Sequence, residues 1–264
     1  MDFEELTEVR YEVDRGLAWV TIDRPERYNS FTARTVDELI AAFKAAWADR
    51  QVGVVALTGA GDRAFCAGGD VKMAAETGGY GPSESGVFEL ESLHRSIRSI
   101  PKPVIAAVNG VAAGGGHVLH VLCDLSIAAD TATFGQSGPR VGSWDAGLGT
   151  GVLARAVGEK RAKEMWLLCR RYDARRALDW GLVNAVVPAA ELRAEVRRWA
   201  DELLAMSPTA LKVLKHSFNA DTEHLSGLAR VAFDGLDLFQ PTAEATEGKQ
   251  AFAQKRPPDF SPYR

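Results

Sequence analysis

The order of apolar patterns along the chain restricts its fold more than any other feature. Through the first two-thirds, short apolar runs such as Val54–Leu57 and Val104–Val108 alternate with amphipathic stretches such as Thr35–Ala48. Short apolar runs indicate buried strands, whereas apolar residues that recur every three or four positions indicate helices. Strands that alternate with helices are typical of parallel β/α layering. We therefore predict an α/β core.

After residue 190 the pattern changes to consecutive helices. Four amphipathic segments follow one another, at Glu191–Ala205, Thr209–Ala220, Glu223–Leu238 and Ala243–Gln254. We expect residues 1–190 to form the core that holds the site and residues 191–264 to form a helical appendage. Because the appendage carries many apolar residues, its surface needs a cover, and a neighbouring subunit is the candidate.

Composition and charge exclude several classes of protein. The chain has 264 residues, of which 46% are hydrophobic and 25% charged, as in an average globular protein. A net charge of -4 argues against a nucleic-acid or anionic-membrane partner. No window approaches the ~20 apolar residues of a membrane span, and the N-terminus has no signal-peptide pattern, so we expect a cytoplasmic protein. The three cysteines form no ligand cluster, so we expect no metal site.

Two glycine-rich segments, Ala64–Asp70 and Asn109–Gly116, each follow a predicted strand. Glycine at such a junction lets backbone N–H groups approach a ligand closely. Donors from two separate loops could hold one developing oxyanion, often the largest single catalytic contribution. Tight turns and close helix packing also select glycine at such positions. Neither segment reads GxGxxG or carries a Walker lysine, so the residues alone leave an oxyanion hole and a packing role open.

Several motifs in order make the chain similar to the crotonase (enoyl-CoA hydratase/isomerase) superfamily. They are RPERYNSF from Arg24, AFCAGGD from Ala64, PKPVIAAVNGVAAGGG from Pro101, CDLSIAADTATFGQ from Cys123 and KRPPDF from Lys255. The resemblance implies a ββα spiral core with a C-terminal trimerisation region, and a homotrimer or dimer of trimers. It implies an acyl-CoA thioester substrate, with coenzyme A as part of the substrate and no separate cofactor. It assigns the oxyanion N–H groups to Gly69 and Gly115 and places Ala67 and Asp70 along CoA.

The two glutamates that hydratases of this family use are absent. Hydratases place one glutamate three residues after the middle glycine of GGG, where this chain has Val118. They place the second shortly after FGQ, where this chain has Gly138. Without that acid/base pair, addition of water to an enoyl double bond is disfavoured.

Residues 134–155 resemble more closely the branch that holds 1,4-dihydroxy-2-naphthoyl-CoA synthase and 2-ketocyclohexanecarboxyl-CoA hydrolase. Both enzymes pass through a thioester enolate, and the serine and aspartate of their GSxD segment are functional. Here those residues are Ser143 and Asp145. The residues alone favour a helix N-cap at Asp145, whereas the resemblance favours catalysis.

The chain also departs from that branch. The branch commonly has a tyrosine from the adjacent subunit in an LFYxT-like stretch, and this chain has Gln240 at that position. Bicarbonate-dependent naphthoyl synthases have a tryptophan where this chain has Leu148, and bicarbonate-free ones have a carboxylate where it has Gly138. The chain therefore lacks part of the set of residues that the ring-closing synthases use.

Four further residues complete the expected substrate site. Gln136 is expected to orient a water or a carboxylate, and Trp144 to form a wall of the acyl pocket. The resemblance implies that Lys255 reaches the CoA phosphates, because the C-terminal helix does so in this superfamily. Arg27 is a similar candidate.

Taken together, the sequence favours a hydrolase that opens the ring of a cyclic β-ketoacyl-CoA. Asp145 would activate water, Ser143 would hold the ketone oxygen, and Gly69 and Gly115 would stabilise the enolate. A naphthoyl-CoA synthase is the alternative enzyme. A non-catalytic acyl-CoA-binding protein is the alternative from another class.

Overall fold

The structure, a computed structural model, describes residues 6–84, 86–144 and 148–264. In these ranges the strands are β1 (Val9–Asp14), β2 (Leu17–Ile22), β3 (Val54–Gly59), β4 (Ala64–Cys66), β5 (Val104–Val108), β6 (Val111–Ala113), β7 (Leu125–Ala129), β8 (Thr133–Gly135), β9 (Arg171–Asp173) and β10 (Ala185–Val187). The helices are α1 (Ala33–Ala48), α2 (Val71–Thr77), α3 (Leu90–Ser99), α4 (Gly115–Leu122), α5 (Leu148–Val157), α6 (Glu159–Leu168), α7 (Ala174–Asp179), α8 (Leu192–Leu204), α9 (Pro208–Ala220), α10 (Leu225–Phe239) and α11 (Ala243–Ala253). The predicted alternation of strands and helices, followed by helices alone, is confirmed.

The larger sheet has six strands in the order β1-β2-β3-β5-β7-β10. All its pairs are parallel except β1 with β2, an antiparallel hairpin that the sequence analysis missed. Val20 packs in one apolar cluster with Leu39 of α1, whereas Trp19 packs on the other face with Val196 of α8. Helices on both faces explain why the central strands are continuously apolar.

The smaller sheet has the order β4-β6-β8-β9 and brings the two glycine-rich segments together. Strands β4 and β6 are parallel neighbours. Their carboxyl ends therefore meet at one edge of the sheet. The loop at residues 67–70 leaves β4 at that edge, and α4 begins there after β6.

The small and polar residues of the segment Ala74–Gly86 predict that it is mobile. In the structure this segment begins inside α2. After that helix, the backbone carbonyl of Tyr80 accepts a hydrogen bond from Ala33 N at 2.8 Å. The N–H of Glu84 donates to Asp37 Oδ2 at 2.8 Å. These contacts hold the segment against α1, and its mobility stays a prediction.

The four C-terminal helices pack against different parts of the core. Helix α8 covers the larger sheet, and α11 lies on α2 and on the 3-10 turn Gly138–Val141. At that contact a Cβ on Gly248 would overlap the backbone of Gly142, so only glycine allows this approach. The division of the chain at residue 190 stays a prediction. No helix in the described ranges has the length and apolarity to cross a membrane.

A buried ion pair attaches α9 to the core. Lys215 Nζ lies 2.8 Å from Asp124 Oδ2 and donates to the carbonyls of Ile97 and Lys102, each at 3.0 Å. Asp124 Oδ2 also accepts from Val104 N at 2.7 Å. Burial lowers the pKa of Lys215 and raises that of Asp124, while contact between the two groups favours both charges. Each of these two buried charges is therefore stabilised only while the other is present.

We expect Lys215→Met to lower the free energy of unfolding by roughly 3–5 kcal/mol, because it leaves the Asp124 carboxylate buried without its cation. Urea unfolding would measure the loss. Lys212→Met, at an exposed position of the same helix, is the matched control and should change stability little. A loss under about 1 kcal/mol for Lys215→Met would contradict an anchoring role.

Helices α9 and α10 expose large apolar side chains. The most exposed are Phe218 at 78% and Leu238 at 79%. Val213, Leu214, Leu228 and Val231 are more than half exposed beside them on these helices. A surface of this kind needs a cover, so the predicted trimer or dimer of trimers stays a prediction with a physical basis.

We expect light scattering to give a mass of three or six chains, and Phe218→Asp to shift the protein toward single chains by placing a charge in the apolar contact. Val13→Asp, on the edge strand β1, is the matched control and should keep the wild-type mass. A wild-type mass equal to one chain would rule out the assembly.

Candidate active site

One cavity of about 840 Å³ opens at the edge of the smaller sheet. Its walls come from the loop at residues 67–69, the start of α4, residues 78–83 and 86–92, the residues after β8, and α10 with α11. The predicted site residues that line it are Ala67, Gly69, Gly115, Gln136, Ser143, Trp144 and Gln240. The structure thus brings seven residues into one cavity from five separate stretches of sequence.

The N–H groups of Gly69 and Gly115 have the local geometry of ligand donors. Gly69 forms an isolated parallel bridge with Phe31, in which Phe31 N donates to Gly68 O and Asp70 N donates to Phe31 O. The N–H of Gly69 itself therefore points away from this bridge. Gly115 is the first residue of α4, whose first helical hydrogen bond is donated by Val118 to Gly114 O. The N–H of Gly115 is one of the donors that a helix leaves without an internal partner.

Close backbone packing joins the two segments that carry these donors. A Cβ on Gly68, which has φ +92°, would lie 3.0 Å from Gly115 N and 3.1 Å from Ala113 O. A Cβ on Gly116 would overlap the backbone of Cys66. These glycines therefore serve the packing role that the sequence left open, and the packing brings Gly69 and Gly115 to the same cavity. The pair can act as an oxyanion hole.

An aromatic cluster that the sequence analysis missed covers Gly69. The rings of Tyr80 and Phe88 stack with centroids 4.8 Å apart, and each lies about 6.3–6.4 Å from Phe31. A Cβ on Gly69 would lie 2.5 Å from a Tyr80 ring carbon and 3.0 Å from its hydroxyl oxygen. Tyr80 thus brings a phenol next to the oxyanion donor. Tyr80 lies in a glycine-rich segment that has neither a motif nor a periodicity, so the sequence does not identify it as a site residue.

Ser143 and Trp144 lie between the core and the C-terminal helices. The N–H of Ser143 donates to Gly138 O at 2.9 Å, which closes the turn that carries it. Trp144 Nε1 donates to Ala232 O at 3.1 Å, and its ring packs on Phe239 at 4.7 Å. Trp144 therefore lines the cavity, and its role as a wall of an acyl pocket stays a prediction. Asp145 lies outside the described residues.

Gln136 is supported from behind by a buried histidine. Gln136 Nε2 lies 3.1 Å from His117 Nδ1, and both side chains are buried. Burial lowers the pKa of His117 to about 3, so its ring is neutral near pH 7. The neutral ring accepts from the amide at Nδ1, which leaves Gln136 Oε1 without a partner among the described residues. This oxygen is itself buried, so its expected role in orienting a water or a carboxylate stays a prediction.

The two positions at which hydratases carry glutamate are unsuited to that residue here. Val118 is buried, lies outside the cavity and contacts Gly149. A Cβ on Gly138 would lie 2.7 Å from Ser143 O and 3.1 Å from the Cα of Trp144. The turn at Gly138 has therefore closed over the space that a side chain would need.

Three predicted binding residues lie apart from the cavity. Both carboxylate oxygens of Asp70 are used within the protein: Oδ1 accepts from Met73 N at 3.1 Å as the N-cap of α2, and Oδ2 lies 3.3 Å from Arg24. The side chain of Asp70 therefore holds the loop in place, and contact of the loop at residues 67–70 with CoA stays a prediction. Arg27 is exposed on a 3-10 turn, and Lys255 lines a second cavity behind residues 139–141. Contacts of these two with CoA stay predictions.

The sequence analysis also missed the charged side chains of the cavity. They are Glu89, Glu91, Arg230, Asp234, Asp237 and Lys249. No motif marks them, because their segments meet only when α10 and α11 fold over the core. Gln240 reaches the cavity of its own chain, whereas the family resemblance led us to expect this position from an adjacent subunit. No three His, Cys, Asp or Glu side chains of the described residues are placed to hold a metal ion.

We expect Gly69→Ala to weaken binding of an acyl-CoA by at least ~10-fold, because the added methyl collides with Tyr80 beside the donor. Calorimetry with acetyl-CoA would measure the change. Gly227→Ala is the matched control, since a Cβ there meets nothing within 4 Å and the residue does not line the cavity. Equal affinities of the two variants would contradict ligand binding at Gly69.

Comparison with known proteins agrees with this geometry. The family model described as enoyl-CoA hydratase/isomerase matches residues 12–262. The structure of an enoyl-CoA hydratase from Mycobacterium avium subsp. paratuberculosis K-10 is 33% identical, with a TM-score of 0.85 over 97% of this chain and 99% of that one. An enoyl-CoA hydratase/isomerase from Xanthobacter autotrophicus Py2 is 34% identical, with a TM-score of 0.78 over 94% and 92%. A carnitinyl-CoA hydratase from Mycobacterium avium is 29% identical, with a TM-score of 0.84 over 97% and 98%. The predicted crotonase fold is confirmed, and the chain belongs to the enoyl-CoA hydratase/isomerase (crotonase) family of acyl-CoA enzymes.

Proposed function

We propose that this crotonase-family enzyme opens the ring of a cyclic β-ketoacyl-CoA by hydrolysis. One observation carries the proposal. The cavity combines the two glycine donors with Ser143, while neither hydratase position offers a carboxylate to the ligand. An enzyme of this kind keeps the means to stabilise an enolate and lacks the acid/base pair for hydration.

The glycine donors would bind the thioester oxygen. Two N–H groups preorganised by backbone packing interact more strongly with an enolate oxygen than with a neutral carbonyl, because the enolate carries the negative charge. Their rigid setting means that little reorganisation is needed when the charge develops. The covering ring of Tyr80 limits access of water to that oxygen and so strengthens the interaction.

Ring opening follows from addition of water to the ketone. Asp145 would take a proton from water as its oxygen bonds to the ketone carbon, and the Ser143 hydroxyl would donate to the ketone oxygen. The bond between the ketone carbon and the α-carbon then breaks, and its electron pair becomes the thioester enolate. The α-carbon takes up the proton held by Asp145. One cyclic β-ketoacyl-CoA and one water molecule thus give one ω-carboxyacyl-CoA.

Tyr80 is a further candidate for this chemistry. The family branch commonly supplies a tyrosine where this chain has Gln240, and glutamine cannot act as an acid. Tyr80 brings a phenol to the same cavity, beside Gly69. We propose that Tyr80 supplies, near the thioester, the phenol hydroxyl that Gln240 lacks.

We expect the enzyme to convert 2-ketocyclohexanecarboxyl-CoA to pimeloyl-CoA, detected by mass spectrometry. Asp145→Asn should lower kcat by roughly 10²–10⁴-fold, the usual contribution of a general base. Asp62→Asn, an exposed carboxylate in the turn between β3 and β4, is the matched control and should keep the wild-type rate. The absence of pimeloyl-CoA, or an Asp145→Asn variant as active as the wild type, would overturn the proposal.

The same preparation separates the alternatives. Cyclisation of o-succinylbenzoyl-CoA, with or without bicarbonate, would identify a naphthoyl-CoA synthase. Binding of CoA thioesters in the calorimeter without turnover of any β-ketoacyl-CoA would identify a non-catalytic binding protein.

A further inference from the structure

The two cationic side chains that line the cavity differ in whether a carboxylate lies beside them. Of its two cationic side chains, Arg230 lies with its Nε 3.2 Å from Glu91 Oε2. Lys249 has no carboxylate within 4 Å among residues 6–84, 86–144 and 148–264. In this part of the chain, Lys249 is therefore the cavity cation whose charge the protein does not neutralise.

Lys249 lies on the same side of the cavity as Ser143. Gly142 and Gly248 meet backbone to backbone where α11 crosses the turn, and Ser143 and Lys249 are the next residues of the two segments. Both line the cavity. The ammonium donates to Gln240 O at 3.1 Å, which fixes the side chain against the end of α10.

The surroundings of Lys249 make its charge costly without a ligand. The side chain is half-buried, and burial lowers the pKa of its ammonium. No carboxylate offsets this effect, although Asp234 and Asp237 line the cavity from exposed positions on α10. An ammonium has three donors, and the described contacts use one of them. A ligand oxygen with negative charge would compensate the lost hydration.

We propose that Lys249 makes this cavity selective for acyl-CoA thioesters whose acyl group carries a carboxylate. This inference rests on the acyl-CoA site proposed above and names the class of acyl group that the site binds most tightly, which includes the ω-carboxyacyl-CoA product of ring opening. The lysine would bind that carboxylate from the wall that α11 contributes, beside the turn that carries Ser143. That placement also suits the hydrolytic product, which carries a new carboxylate at the far end of the acyl chain.

Two other roles give different results. If Lys249 only caps the C-terminal end of α10 through Gln240 O, its loss lowers stability and leaves selectivity unchanged. If the acidic side chains of α10 set the preference, the cavity favours a cationic acyl group. A CoA phosphate at Lys249 would affect every CoA ester equally.

The test compares pimeloyl-CoA, heptanoyl-CoA and free CoA by calorimetry, because the first two have acyl chains of equal length and differ in one carboxylate. We expect the wild type to bind pimeloyl-CoA roughly tenfold more tightly than heptanoyl-CoA, as one charge-assisted hydrogen bond would give. Lys249→Gln should abolish that difference without weakening heptanoyl-CoA or CoA, and Lys249→Arg should retain most of it. Lys44→Gln, at an exposed position of α1, is the matched control.

Three results would overturn the inference: no wild-type preference for pimeloyl-CoA, a preference that survives Lys249→Gln, or equal weakening of all three ligands. Thermal unfolding of Lys249→Gln identifies a purely structural effect, which lowers the melting temperature without moving the affinity ratio. The affinity ratio requires no turnover. A preference for pimeloyl-CoA without ring opening would therefore overturn the proposed reaction and leave this inference standing.

Discussion

The site depends on one backbone contact, between the loop that leaves β4 and the start of α4. Any side chain at Gly116 would overlap the backbone of Cys66, and one at Gly68 would press on the N–H of Gly115. Because these segments follow parallel neighbouring strands, the sheet brings them to one edge and glycine lets them touch. The contact places Gly69 and Gly115 in one cavity. Packing and oxyanion binding, alternatives when only the sequence is considered, are thus compatible roles of one glycine-rich junction.

The two sides of the cavity come from different parts of the molecule. The core supplies the backbone donors, which a whole family with different reactions can share. The C-terminal helices supply Trp144's packing partner Phe239, together with Gln240 and Lys249. We infer that the core stabilises the enolate and that side chains of the helical region determine which acyl group the cavity binds.

The structure gives a physical reason for the absence of the two hydratase glutamates. Gly138 has no room for a side chain because the turn to Ser143 closes over it, and Val118 is packed into the core. Restoring glutamate at either position would require the neighbouring backbone or core to move. The turn instead presents Ser143 to the cavity, which is consistent with a reaction that handles a second oxygen of the substrate.

The sequence by itself determined the layered α/β core, the helical C-terminal region and the glycine junction, because apolar periodicity and glycine at strand ends report local structure directly. It also led to the family and to seven residues of the cavity. Only the tertiary structure decided that Asp70 is a cap with an ion-pair partner, that Tyr80 covers Gly69, and that Lys249 faces the ligand space. Each of these depends on segments far apart in the chain, and a local pattern carries no information on which distant group a side chain will meet.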